Sequence, residues 1–189
     1  MKLEVMQHRD SKELSERVVN AFYGEDTHLS KETLETLIRL LWLEESEAFN
    51  MTVYVLKEEE EVIGAFSLTH GGKTKISVSL VAKLAAAVKH ICLKEMYQFA
   101  KESLETSRKP HQDELYIGFL AVKESWRGNR IGHQLMENIL RMSKERKGIS
   151  TVSLYVLKTN DRAKHLYEKF GFKRDSRHEI KDYYFMVQN

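Results

Sequence analysis

Residues 114–140 read ELYIGFLAVKESWRGNRIGHQLMENIL, and the fold turns on how this stretch divides. Glu114 to Val122 has the apolar character of a strand. The turn that follows carries Arg127, Gly128, Arg130 and Gly132, and an amphipathic helix completes the unit. A strand that delivers a basic, glycine-bearing turn onto a helix N-terminus is a phosphate-binding arrangement. The turn exposes backbone N–H groups, and the first helical turn adds unpaired donors at the positive end of the dipole. Gly128 lets the backbone approach a ligand, Asn129 offers a helix cap, Gly132 leaves room above the first turn, and the arginines add charge. Taken alone, these residues fit a phosphate site and a surface turn with incidental arginines equally well.

The turn is neither GxxxxGK[ST] nor GxGxxG, which removes the common nucleotide loops. The chain has 189 residues, 42% hydrophobic and 31% charged, with one proline and a net charge of +2, which predicts one globular domain. No basic excess marks a nucleic-acid binder, and Arg127, Arg130, Arg141, Arg146 and Lys147 are interspersed with Glu137 and Glu145 as a solvated face would be. The single cysteine, Cys92, cannot form an internal disulfide and fits core packing in a reducing compartment. MKLEVMQHRD has no apolar leader region, and Lys89, His90, Lys94 and Glu95 interrupt the greasiest stretch. The expected location is cytoplasmic, with no membrane span. Eight histidines without HxH or HExxH spacing predict no metal.

Upstream, Lys2 to His8 reads as a strand, Ser11 as the N-cap of a helix ended by Gly24, and Ser30 as the start of a second helix carrying Leu34, Leu37 and Leu41. Thr52–Lys57 and Val62–His70 read as strands around the acidic run Glu58 to Glu61, a solvated hairpin turn. A helix is predicted from about Ser79 to Glu105, ended before Pro110. Downstream, Ser150–Leu157 is a strand. Thr159 and Asn160 cap a short helix, Gly171 followed by Phe172 stops it, and Phe172–Asp175 and Tyr183–Val187 are strands.

Two segments together are specific. Leu120-Ala121-Val122 followed by Arg127-Gly128-Asn129-Arg130-Ile131-Gly132 resembles the strand and [RQ]xxGx[GA] turn of the GCN5-related N-acetyltransferase (GNAT) superfamily, with Arg130 where that family has its middle glycine. LYVLKTNDRAKHLYEKFGFKR is similar to its later NxxAxxLYxxxGF motif at Asn160, Ala163, Leu166, Tyr167, Gly171 and Phe172. The resemblance implies an α/β (α+β) fold: a mixed, mostly antiparallel, splayed sheet flanked by helices. Residues 1–189 would form one domain, with an inserted helical segment at about 73–110 between the third and fourth strands.

The resemblance further implies transfer of an acetyl group from acetyl-CoA to a primary amine, by direct attack in a ternary complex. An acyl-CoA-binding or interaction domain without turnover is the alternative. The pantetheine arm would lie along Phe119, Leu120, Ala121 and Val122, with amides around Phe119 and Leu120 polarising the thioester. The pyrophosphate would rest on Arg127, Gly128, Asn129, Arg130, Ile131, Gly132 and His133. Asn160 would contact pantetheine, and Tyr167 would protonate the departing sulfur. Gly118, mid-strand, is the expected bulge. Glu114 is the chosen base; a solvated strand-end carboxylate is an equal reading, and Tyr116, His133, His165, His178 or water are alternatives. Small polyamine or amino-acid-like amines, aminoglycosides, peptide N-termini and protein lysines all fit the resemblance as acceptors, and the inserted helix is the expected place for a homodimer contact.

Overall fold

The computed structural model describes residues 1–22, 29–72, 78–90 and 109–189, with 94, 97, 99 and 101 singly. Gly24, Cys92 and the predicted end of the inserted helix at Glu105 lie outside the described residues. The strands are β1 (Lys2–Val5), β2 (Met51–Glu58), β3 (Glu61–His70), β4 (Glu114–Val122), β5 (Thr151–Leu157), β6 (Lys173–Arg174) and β7 (Tyr183–Gln188). They form one sheet in the order β1-β2-β3-β4-β5-β7-β6. Every neighbouring pair is antiparallel except β4 and β5, which run parallel because a helix crosses between them. That parallel ladder covers only Glu114–Ile117 against Thr151–Leu154. Beyond Ile117 and Leu154 the two strands no longer pair, and the sheet opens into a cleft.

The helices are α1 (Ser11–Phe22), α2 (Lys31–Leu37), α3 (Val78–His90), α4 (Ile131–Glu145) and α5 (Asp161–Lys169), with a π-helical turn at Ile38–Leu43. Alternation along the strands sorts their side chains onto two faces. Val53, Val55, Ala65, Phe119 and Ala121 pack with Leu14, Val18, Leu34 and Leu37 of α1 and α2. Ile63, Phe66, Leu115, Ile117, Val152 and Leu154 pack with Leu135, Met136 and Ile139 of α4. The two apolar layers enclose the sheet.

Several local expectations hold. Ser30 caps α2, its Oγ accepting from the Thr33 N–H at 3.1 Å. The acidic run turns at Glu59, which takes φ 54° at the hairpin tip. Gly171, at φ 84°, ends α5 while the Phe172 N–H donates to the Tyr167 carbonyl at 3.1 Å.

The amino terminus differs from its reading. β1 ends at Val5, a 3-10 turn spans His8–Asp10, and Ser11 is already helical rather than the cap. The reason is Asp10. Its carboxylate accepts from the Gln7 N–H at 2.9 Å and lies 2.8 Å from the Lys57 ammonium. Lys57, only 4% exposed, also meets Glu4 at 2.9 Å. Burial alone lowers the Lys57 pKa, but hydrogen bonds to Asp10 and Glu4 outweigh it and raise the value. Helix α3 is fastened by a similar device: Lys83 lies 3.0 Å from Glu44 and 2.8 Å from Glu45, and the Ser79 hydroxyl donates to Glu45 at 2.6 Å.

Candidate active site

The turn before α4 has a geometry that its residues do not advertise. Arg130 sits at φ 59°, ψ 15°, in the left-handed region, as the residue preceding the helix. Asn129 therefore does not cap α4. Its N–H closes the turn onto the Trp126 carbonyl at 3.3 Å, and the cap position falls one residue later, on a side chain that makes no capping hydrogen bond. Gln134 is the first residue of α4 to donate within the helix, to the Arg130 carbonyl at 3.1 Å. The amides of Ile131, Gly132 and His133 thus have no intrahelical acceptor, the condition for an anion site. Gly128, at φ 95°, has nothing within 4 Å of where a Cβ would stand. Gly132 serves packing instead of leaving space: a Cβ there would come within 3.2 Å of Leu166.

The bulge falls at Gly118. Ser67 pairs with Phe119 and Leu68 with Ile117, so Gly118 is the extra residue of β4. The shift moves Phe119 and Ala121 to the α1 face, whereas Leu115 and Ile117 face α4. Phe119 donates its N–H to Ser67 Oγ at 3.2 Å, and the Lys123 N–H donates to the Ile63 carbonyl at 2.9 Å. Alternation then aims the N–H groups of Leu120 and Val122 away from β3, toward the open side. Of the two amides expected to polarise a carbonyl, Leu120 faces the open edge and Phe119 faces β3.

Between the diverging ends of β4 and β5 lies a cleft of about 560 Å³. It is lined by Leu120, Ala121, Val122, Arg127, Gly128, Arg130, Ile131, Gly132, His133, Asn160 and Tyr167, all expected from sequence. Phe119, Asn129 and Glu114 do not line it. Phe119 is buried against α1, and Asn129 belongs to the turn. Glu114 is 3% exposed; it accepts from the His111 N–H at 3.0 Å and from the buried Ser153 hydroxyl. This carboxylate fastens the start of β4 to β5 and to the preceding loop. His133 and His165 border the cleft. His178 stands elsewhere, its Nδ1 3.5 Å from Asp175.

Tyr167, 7% exposed, reaches the cleft from α5 with its ring 5.9 Å from that of Phe172. Burial pushes its phenol up to about 12. Asn160 caps α5, its side-chain oxygen accepting from the Ala163 N–H at 3.0 Å.

Residues missed from sequence complete the lining. Arg162 and Lys169 come from α5, on the face that also carries His165, and a spacing of three and four along a recognised helix was the available signal. Asn20 and Ala21 of α1, with Tyr155 and Tyr183 of β5 and β7, also line the cleft; only tertiary structure brings them there. Away from the cleft, Arg141 pairs with Glu145 at 3.1 Å and with Asn138 at 3.0 Å, as on a solvated face. Among the described residues, no helix is long and apolar enough to cross a membrane, and no group of His, Cys, Asp or Glu is arranged to hold a metal ion.

Residues 16–172 match the family model described as the acetyltransferase (GNAT) family. The chain belongs to the GNAT acetyltransferase family. It is an acetyl-CoA-dependent N-acetyltransferase, and acetyl-CoA is its cosubstrate. Solved structures share the fold at low identity. An N-acetyltransferase from Staphylococcus aureus Mu50 is similar at 18% identity and TM-score 0.70, with 100% of each chain covered. The PaiA N-acetyltransferase of Thermoplasma acidophilum, solved with coenzyme A, is similar at 17% and 0.59, covering 100% of this chain and 99% of that one. A spermidine N-acetyltransferase SpeG chimera from Vibrio cholerae and hSSAT is similar at 15% and 0.59, covering 98% of this chain and 93% of that one. No curated protein sequence matches significantly. For this GNAT enzyme the residues present suit acetyl-CoA: unpaired amides and arginines for phosphates, and an open strand edge for the pantetheine amides.

Proposed function

We propose that the enzyme acetylates a primary amine by direct attack in a ternary complex held between β4 and β5. The observation that carries this is the convergence of Tyr167, the α4 amides and the open edge of β4 on one cleft. Arg127, Arg130, Arg162 and Lys169 bring positive charge to it, and the phosphates of coenzyme A supply the complement. The acceptor enters from the opposite side, past Asn20, Ala21, Tyr155 and Tyr183.

The amine nitrogen bonds to the thioester carbonyl carbon, the carbon–sulfur bond breaks, and the sulfur takes a proton while the nitrogen loses one. Leu120 offers its N–H to the carbonyl oxygen, a fixed dipole where negative charge grows. Tyr167 faces the sulfur. With its phenol pushed up to about 12, full proton transfer is uphill by about 3 kcal/mol more than for a free phenol. Tyr167 therefore acts first as a hydrogen-bond donor to the departing sulfur. The amine's proton leaves through cleft water, because Glu114 is engaged away from the lining.

The test is thiol release from acetyl-CoA across a panel of amines, paired with coenzyme A titration. Amine-dependent release supports transfer. Tight coenzyme binding with no release from any amine would show an acyl-CoA-binding domain instead.

A further inference from the structure

Resting on the transfer reading above, we propose that Ser67 is a positioning residue for acetyl transfer: its hydroxyl holds the β4 bulge in the shape that presents the strand edge to the reacting thioester.

Ser67 lies on β3, fully buried, where a hydroxyl has no value to a solvated surface. It stands opposite Phe119, the residue after the bulge, and accepts the Phe119 N–H at 3.2 Å. Gly118 is the exposed residue in a strand otherwise buried or half-buried. An added Cβ on Gly118 would come 2.6 Å from Ser67 Oγ and 3.9 Å from Tyr116 Cε1. Ser67 and Gly118 thus form a matched pair: the hydroxyl occupies the space that the missing side chain leaves.

The consequence reaches the chemistry through the backbone. Consecutive amides of a strand point to opposite sides, so fixing the Phe119 N–H toward β3 fixes the Leu120 N–H toward the cleft. A bulge frees the chain to twist, and without a partner at this point the direction of the Leu120 dipole is less well defined. Dipoles aimed at growing charge contribute only when they are held in place beforehand. Ser67 touches neither substrate in this arrangement; it acts through Phe119 and Leu120.

Four variants test this: Ser67→Ala, Ser67→Cys, Gly118→Ala and the Ser67→Ala/Gly118→Ala double. Each is assayed for kcat, for KM toward acetyl-CoA and for thermal midpoint. Ser67→Cys nearly preserves volume while weakening the acceptor. Ser67→Ala and Ser67→Cys should each lower kcat about tenfold, less than the loss of a direct oxyanion donor, with KM for acetyl-CoA within about twofold because the phosphate turn is untouched. Gly118→Ala should melt earlier through the clash with Ser67 Oγ. The double variant should regain most of that midpoint, since the contacts left to the added methyl, Tyr116 Cε1 at 3.9 Å and Ser67 Cβ at 4.0 Å, are ordinary van der Waals ones, while its kcat stays low. An unchanged kcat in Ser67→Cys, or a double variant as unstable as Gly118→Ala, would overturn the assignment. A parent enzyme that acetylates no amine would instead refute the transfer reading, and the assignment with it.

Discussion

Replacing Arg130 by glycine should make the protein more stable and a poorer binder of its cosubstrate. The residue holds φ 59°, ψ 15°, a conformation that costs a side-chain-bearing residue about 1–2 kcal/mol. Glycine removes that cost but loses more chain entropy on folding, about 0.5–1 kcal/mol. Removing a cation from the positive end of α4 returns roughly 0.3–1 kcal/mol. The balance is a stabilisation of about 1 kcal/mol, which for a chain of this size raises the thermal midpoint by roughly 2–4 °C. Against this, Arg130 lines the cleft beside the unpaired α4 amides. Its exposure screens any contact with phosphate, so the loss should be about tenfold in affinity, or about 1.4 kcal/mol. Calorimetric titration with coenzyme A and thermal denaturation of the free protein read the two effects separately. The affinity loss should shrink at high salt. A lower midpoint in Arg130→Gly would refute the strain argument, and an unchanged affinity at low salt would remove Arg130 from the phosphate site.

Tyr167→Phe should reduce kcat by about 10²-fold, the lower end for loss of an acid catalyst, and leave coenzyme A affinity unchanged; parental kcat would remove Tyr167 from the mechanism. Because burial holds the phenol at about 12, the parent enzyme's pH–rate curve should show no alkaline limb from this group below about pH 10. Glu114→Gln should keep the parental pH–rate profile while lowering stability by about 1–3 kcal/mol, through disturbance of buried hydrogen bonds; a selective rate loss at low pH would restore Glu114 as the base. Lys57→Met should destabilise the fold by about 3–5 kcal/mol, since it leaves the buried Asp10 carboxylate without its cation while Glu4 keeps Lys2, as chemical denaturation would measure. Hydrogen bonds from Lys2 and Lys57 hold the Glu4 carboxyl at about 2, below its ordinary value of 4.5. Its folded form favours ionisation, so the stability it contributes is present above about pH 4.5 and is lost as the pH falls through about 2. Acid titration of folded fraction in the parent and in Glu4→Gln should diverge in that window.

Periodicity and turn chemistry made most of the elements legible. Asn160 announces its helix by local chemistry, Gly171 its stop, and Ser30 its cap; each acts on neighbours three or four residues away. The bulge at Gly118 was legible because a glycine within an apolar strand has few other uses. What stayed hidden depends on partners distant in sequence. Ser11 looked like a cap because nothing nearby reveals that Asp10 answers to Lys57, across the sheet. Glu114 looked free because its partner hydroxyl, Ser153, arrives only with the parallel β5 strand. Tyr155 and Tyr183 reach the cleft through strand order, which no local pattern records. Arg130 shows the opposite failure: the sequence displays the missing glycine, but only the backbone angles show that the departure is one of conformation as much as charge.

The short parallel ladder between β4 and β5 has a thermodynamic consequence. Past Ile117 and Leu154 the two halves of the sheet share no ladder. A ligand with amides of its own, lying along the open edge of β4, completes a ladder that the polypeptide leaves short. On the binding mode proposed above, the cosubstrate would count as an eighth strand as well as a reactant. Amides on either side of the cleft should exchange hydrogen more slowly as its concentration rises, and the melting temperature should climb logarithmically with it. In this fold, occupancy and cohesion are two readings of one equilibrium.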